Sequence, residues 1–175
     1  MRLDRQRRIV GELLDLHASG ATQLAEHALR VDAATYVDPA LFAREQRVFR
    51  RHPALVALAG DVAGPGDHVA VEVGGVPVAV VRGDDGVLRG FVNICRHRAS
   101  PVVEGSGRGA RRLRCGFHGW LYRLDGALQA TPNGEDGFAE LDPSCSGLTP
   151  LPVAEAHGLV WVRACLLYTS DAADE

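Results

Sequence analysis

The sequence contains no lysine, and arginine supplies all 19 of its basic side chains. The glycine-rich segment 105–109 is not followed by the Gly-Lys-Ser/Thr of a phosphate-binding loop, so we interpret it as a turn between strands. With 22 acidic residues the net charge is −3, without the basic excess of a nucleic-acid-binding protein. The sequence also lacks an apolar run long enough to cross a bilayer. We therefore expect no nucleic-acid partner and no membrane partner.

The N-terminus lacks the apolar stretch of a secretory signal peptide, because Asp4, Glu12 and Asp15 interrupt it. We therefore predict a cytoplasmic protein. Its 175 residues, 46% of them hydrophobic, suffice for one domain with a buried core. In a reducing compartment, cysteines more often serve metal or redox chemistry than structural disulfides. The chain has four: Cys95, Cys115, Cys145 and Cys165.

Helices are predicted in the N-terminal part of the chain. Apolar residues recur at helical spacing over residues 7–18, and Ser19-Gly20 ends this run. A weaker helical pattern covers residues 22–30. Asp38-Pro39 is typical of a helix start, because Asp caps exposed amides and Pro at the first position loses no hydrogen bond. A helix over residues 39–51 is therefore predicted.

The pattern then changes to the alternation typical of antiparallel strands. Residues 68–73 and 76–82 flank Gly74-Gly75, which predicts a hairpin. Further strands are predicted over residues 87–94, 113–115, 120–124, 127–130 and 159–163. The fold class is therefore mainly β: an antiparallel β domain preceded by a short α-helical segment.

Two short segments carry the residues that point to chemistry. Residues 95–98 read Cys-Arg-His-Arg, and residues 115–120 read Cys-Gly-Phe-His-Gly-Trp. Each segment lies at the end of a predicted strand, where a loop can present its side chains. Two thiols and two imidazoles on paired loops predict a four-ligand metal site. The predicted ligands are Cys95, His97, Cys115 and His118.

Two kinds of metal centre suit these four side chains. A zinc site of two cysteines and two histidines is chemically possible. Zinc fingers, however, usually take two cysteines from one segment and two histidines from another, whereas each segment here supplies one of each. The mixed arrangement favours a two-iron cluster with both cysteines on one iron and both histidines on the other.

The two segments resemble the ligand loops of the Rieske [2Fe–2S] domain, in which two histidines replace two cysteines on one iron. The resemblance implies that Cys95 and Cys115 hold one iron and that His97 and His118 hold the other. Neutral imidazoles in place of thiolates imply a higher reduction potential than that of an all-cysteine ferredoxin.

Among proteins with this domain, the chain resembles the α subunits of Rieske non-haem iron oxygenases, the aromatic-ring-hydroxylating dioxygenases. Respiratory Rieske proteins carry a further cysteine in each loop, where this chain has Ser100 and Phe117. Small Rieske ferredoxins lack the N-terminal helical segment. The resemblance covers about residues 35–164. One departure is Ala99, where the family commonly has glycine; little effect is expected unless that residue needs a positive φ.

The resemblance implies an oxidoreductase whose cluster is reduced by a ferredoxin or a flavin reductase. The electrons would pass to a mononuclear Fe(II), held by two histidines and a carboxylate in a second domain, for O₂-dependent hydroxylation of an organic substrate. The family also implies a homo-oligomer with electron transfer across a subunit boundary. The alternative is a stand-alone Rieske-type electron-transfer protein without catalysis.

We divide the chain into a helical N-terminal segment (1–52), a Rieske domain (53–164) and a tail (165–175). The tail departs from the composition before it and is similar to a translated sequencing adapter, so we expect it to be non-native. The catalytic iron domain is expected to be absent from these 175 residues, which makes the chain an N-terminal fragment. No residue present is assigned a catalytic role, and the fragment alone is expected to lack activity.

Overall fold

The computed structural model describes residues 2–132 and 137–165. The chain divides into two compact units, Met1–Asp38 and Pro39–Glu175. The boundary predicted after residue 52 lies inside the second unit. The division of the chain into domains stays a prediction. The predicted tail lies outside the described residues, apart from Cys165. Within the described ranges, no helix combines the length and apolarity that a membrane span requires.

The first unit contains one long helix, α1 (Leu3–Ser19), and a short 3-10 helix (Ala33–Tyr36). Helix α1 ends as predicted, because Gly20 adopts a left-handed φ of 65° that turns the chain out of the helix. Residues 22–30 form no helix, so the weaker prediction is wrong. Their side chains are all exposed, and a short segment without an apolar face to bury gains too little to stay helical.

The second unit begins with helix α2 (Pro39–Arg51), as the Asp-Pro signal predicts. Eleven strands follow among the described residues. They are β1 (Ala54–Leu58), β2 (His68–Val73), β3 (Val76–Arg82), β4 (Leu88–Val92), β5 (Ser106–Gly107), β6 (Leu113–Arg114), β7 (Leu121–Tyr122), β8 (Leu128–Ala130), β9 (Pro150–Leu151), β10 (Val153–Ala156) and β11 (Leu159–Val162).

These strands form three antiparallel sheets in the described residues, with strand orders β1-β11-β10, β5-β2-β3-β4-β9 and β6-β7-β8. The predicted hairpin is confirmed: β2 pairs with β3, and Val73 lies opposite Val76 across the Gly74-Gly75 turn. The glycine-rich segment predicted as a turn includes β5, which pairs with the start of β2. The predicted mainly β, antiparallel fold is thus confirmed.

The central strand β3 of the five-stranded sheet is buried on both faces, and its alternate side chains point to opposite sides. Val78 and Val80 of β3 join one hydrophobic cluster, which includes residues of β11. Ala79 and Val81, between them, join a second cluster on the other face. That second cluster also contains both cysteines of the predicted metal site. The core therefore fixes the base of the site through the central strand of the sheet.

Candidate metal centre

Each predicted ligand segment is a tight loop that closes on its own cysteine. The Cys95 amide donates to the Ser100 carbonyl at 2.8 Å, and the Ala99 amide donates to the Cys95 carbonyl at 3.0 Å. The second loop repeats this pattern around Cys115, where the Cys115 amide donates to the Trp120 carbonyl at 2.9 Å and the Gly119 amide to the Cys115 carbonyl at 3.0 Å. The two loops therefore share one backbone geometry.

The same position of both loops adopts a left-handed conformation. Gly119 has a φ of 73°, and Ala99, the equivalent residue of the first loop, has a φ of 57°. Glycine adopts this region without steric cost, whereas a residue with a Cβ is strained there. An effect of Ala99 is expected only if this residue needs a positive φ, and it does adopt one. This departure from the family pattern therefore strains the first loop.

The two cysteines lie at the base of the site. Cys95 and Cys115 are each only 2% exposed. Burial by itself raises the pKa of the Cys115 thiol. The backbone amides of Phe117 and His118 and the side chains of Cys95 and Ser100 outweigh it, so that the pKa is lowered. Because metals bind the thiolate, this surrounding prepares Cys115 as a ligand.

The two histidines form a second pair nearer the surface. The ring centroids of His97 and His118 lie 4.6 Å apart at an interplanar angle of 66°. Burial lowers the pKa of His97, and the nearby His118 and Arg98 lower it further. The neutral imidazole, which is the metal-binding form, is therefore favoured.

His97 also provides an observation that tests the fit of a metal. Its Nδ1 atom is buried and has no hydrogen-bond partner in the described part of the chain. Buried polar atoms are normally paired, so an unpaired one needs an explanation. An imidazole nitrogen has a lone pair that can bind a metal, and a cluster at this position would satisfy it.

The pairs are arranged two and two. Among residues 2–132 and 137–165, no three side chains of His, Cys, Asp or Glu converge on the position of a single ion. The contact of thiol with thiol and of imidazole with imidazole favours a two-metal cluster over the single four-coordinate zinc ion that the sequence leaves open. The residues present therefore fit a [2Fe–2S] cluster with a cysteine side and a histidine side.

Several residues that shape the site are not among the site residues that the sequence predicts. The Tyr122 hydroxyl lies 3.3 Å from the Cys95 Sγ, although 27 positions separate them. Asn93 holds the first loop, and Phe138 packs beside His97. In the sequence, Ser100 stands out only because it replaces a disulfide cysteine, whereas in the structure its side chain helps to lower the pKa of the Cys115 thiol. The exposed Cys145 lies beside Asp142, outside the four predicted ligands.

Comparison with known proteins agrees with this geometry. Residues 52–145 match the profile of the Rieske [2Fe-2S] domain. The chain therefore belongs to the Rieske [2Fe–2S] domain family, whose cofactor is the cluster that the four side chains fit.

The relatives are oxygenase subunits. The chain is 35% identical over 128 residues to the glycine betaine monooxygenase oxygenase subunit of Chromohalobacter salexigens, covering 73% of this chain and 28% of the relative. It is 32% identical over 141 residues to the large oxygenase component of the naphthalene 1,2-dioxygenase system of Pseudomonas aeruginosa, covering 79% and 31%. A solved quaternary ammonium Rieske monooxygenase in complex with L-carnitine superposes with a TM-score of 0.70 at 31% identity, covering 78% and 39%.

The chain spans about a third of the length of the curated relatives it matches. The shared part is the Rieske domain.

Proposed function

We propose that Cys95, His97, Cys115 and His118 hold a Rieske [2Fe–2S] cluster that transfers electrons within an oxygenase α subunit. The observation that carries this proposal is the pairing of the four side chains. The two thiols lie together in the core, within hydrogen-bonding distance of each other, while the two imidazoles lie together near the surface, with the His97 Nδ1 atom unpaired among the described residues.

The cysteine side and the histidine side of the site differ in burial, and we infer a different role for each. When bound, the cluster accepts and releases one electron at a time. The buried cysteine side excludes water and surrounds the sulfur atoms with hydrogen-bond donors, which tunes the reduction potential. His118 is exposed, so the histidine side is the face through which electrons enter or leave.

In the whole protein, the electrons would go to a mononuclear iron in a catalytic domain beyond these residues. Two lines of evidence support this part of the proposal. The relatives are named as oxygenase components, and inter-subunit electron transfer is described for a solved relative, a quaternary ammonium Rieske monooxygenase. We therefore propose a homo-oligomer that receives electrons from a ferredoxin or a flavin reductase.

The substrate is proposed only as a small organic molecule oxidised with O₂. Names of relatives include glycine betaine, carnitine, naphthalene and benzene, which are quaternary ammonium and aromatic compounds. The resemblance to aromatic-ring-hydroxylating dioxygenases implies a role in aromatic hydrocarbon catabolism, and aromatic compounds are one of these two substrate classes. The relatives include both monooxygenases and dioxygenases.

Reconstitution of the 175-residue chain with iron and sulfide tests the ligand set. We expect two irons per chain and, after reduction, the paramagnetic signal of a mixed-ligand two-iron cluster. His118→Ala should abolish this signal. His52→Ala, which removes an exposed histidine after helix α2, should leave it unchanged. A normal spectrum in His118→Ala would remove His118 from the ligand set.

The alternative is a stand-alone electron carrier. Direct sequencing of the source DNA past the codon for Ala164 separates the two. An open frame that encodes a further domain with two histidines and a carboxylate supports the oxygenase. A stop codon after the present C-terminal residues supports the carrier, and it would also contradict the prediction that the tail is non-native.

A further inference from the structure

We infer that Phe138 is a positioning residue for the metal centre, which fixes the plane of the His97 imidazole together with Trp120. This inference rests on the ligand role proposed for His97. Phe138 belongs to neither ligand loop and follows the strand β8, so no motif points to it.

The three rings form one contact group, the ring cage of His97, Trp120 and Phe138. The rings of His97 and Trp120 are stacked, with centroids 5.0 Å apart and an interplanar angle of 2°. Phe138 stands perpendicular to both, 5.5 Å from His97 at 89° and 5.3 Å from Trp120 at 90°. Stacked and edge-to-face rings at these distances attract one another.

The cage is held from the core side. Trp120 is 3% exposed and belongs to the hydrophobic cluster that contains both cysteines. Phe138 and Leu141 pack against the same cluster, and the Leu141 amide donates to the Phe138 carbonyl at 3.0 Å. The two rings around His97 are therefore anchored independently of any metal.

Packing is the means by which His97 can be oriented before a metal binds. Rotation about the Cβ–Cγ bond of histidine has a broad energy profile, so the backbone alone does not set the ring plane. Metal-binding histidines are usually oriented by a hydrogen bond from the second ring nitrogen. The described residues give His97 no such hydrogen bond, whereas they give it contacts with two anchored rings.

The cage also forms part of the wall of a pocket beside the imidazole. Phe138 and Trp120 give this pocket of about 330 Å³ an aromatic surface next to His97. Reduction adds a negative charge to the centre, and water stabilises that charge better than an aromatic ring does. Removal of the Phe138 ring should therefore loosen the orientation of His97 and shift the reduction potential upward.

The test compares Phe138→Leu with Phe91→Leu in the reconstituted chain. Phe91 is 3% exposed in the same hydrophobic cluster, whereas Phe138 is half-buried against it, so Phe91→Leu removes a more deeply packed ring from outside the cage. We expect Phe138→Leu to broaden the electron paramagnetic resonance lines, change the nitrogen hyperfine coupling of one histidine and raise the midpoint potential. Phe91→Leu should do none of these. Phe138→Tyr keeps the ring and should restore the wild-type values.

A second measurement uses the chain without iron. The His97 ring protons should be shifted by the neighbouring rings in nuclear magnetic resonance spectra, and Phe138→Leu should remove part of that shift. Unchanged His97 shifts would overturn the inference, as would equal effects of Phe91→Leu and Phe138→Leu on the potential. If the wild-type chain binds no cluster, the ligand proposal fails, while the iron-free spectra still decide whether the cage exists.

Discussion

The hydroxyl of Tyr122 lies 3.3 Å from the Sγ of Cys95 and accepts a hydrogen bond from the Arg96 amide at 3.0 Å. Tyr122 is completely buried, and burial together with the neighbouring Cys95 raises its pKa, so the hydroxyl keeps its proton. With Cys95 as a thiolate, the hydroxyl is the donor in this pair. A single buried side chain thus joins the β6-β7-β8 sheet to a predicted sulfur ligand of the first loop.

Tyr122→Phe should lower the midpoint potential of the reconstituted chain. Reduction makes the ligand sulfur more electron-rich, so a hydrogen bond to it stabilises the reduced state more than the oxidised state. A difference of about 1 kcal/mol corresponds to about 40 mV for one electron. Potentiometric titration measures the change. Tyr36→Phe, at an exposed tyrosine of the first unit, is the matched control, and an unchanged potential in Tyr122→Phe would contradict the prediction.

Ala99→Gly should stabilise the chain by about 1 kcal/mol. Ala99 has a φ of 57°, where glycine has no steric penalty, and Gly119 occupies the equivalent position of the second loop. Chemical denaturation with a constant m-value measures the free energy of unfolding. Ala154→Gly, in the exposed part of strand β10, should instead destabilise the chain. Loss of stability in Ala99→Gly would show that the first loop is not strained.

The sequence is most informative where the structural signal is local. The spacing of Cys95, His97, Cys115 and His118 indicates two loops, and the structure brings those loops together. Gly74-Gly75 and Asp38-Pro39 mark a turn and a helix start through their own backbone preferences. In each case the physical cause lies within a few residues of the signal.

The missed features depend on distant partners. Strands β1 and β10 are short segments that become strands by pairing with β11 in the same sheet. Tyr122 contacts Cys95, and Phe138 packs against His97. No local sequence pattern predicts either contact, because the partners lie far apart in the chain. The helix predicted over residues 22–30 is an error of the opposite kind, in which a predicted element is absent. A helical pattern without a surface to pack on does not form a helix.

Asn93→Ala should destabilise the chain by about 3 kcal/mol and reduce its iron content after reconstitution. The buried Asn93 carboxamide accepts hydrogen bonds from the amides of Val102 and Val103 and donates one to the Val103 carbonyl. It therefore ties the start of the first ligand loop to the segment that follows it. Alanine would leave three buried backbone groups unpaired.

Thermal unfolding and iron analysis measure these two effects of Asn93→Ala. Gln129→Ala removes an exposed amide side chain and should change neither quantity by more than a small amount. Full iron content together with the expected loss of stability would show that the first loop keeps its ligand geometry without the Asn93 hydrogen bonds.

Asp67 should make stability depend on pH in the acid range. Its buried carboxylate accepts hydrogen bonds from the amides of Gly64 and Gly109, which join the turn before β2 to the loop after β5. These two hydrogen bonds hold the pKa of Asp67 below its ordinary value of 3.8, with a smaller contribution from Arg108. Since the folded pKa is the lower one, the stabilisation is fully present above the unfolded pKa and is lost as the pH falls through the folded pKa.

Asp67→Asn should therefore be less stable than the wild-type chain at neutral pH, and the difference should shrink as the pH falls below about 4. Protonated aspartic acid and asparagine are both neutral, so the two chains converge once Asp67 takes up its proton. Denaturation at a series of pH values measures this convergence. Asp84→Asn, in an exposed turn, provides the control for the loss of one negative charge. If the stability difference between Asp67→Asn and the wild-type chain stays constant down to acid pH, the carboxylate charge does not stabilise the contact between the turn before β2 and the loop after β5.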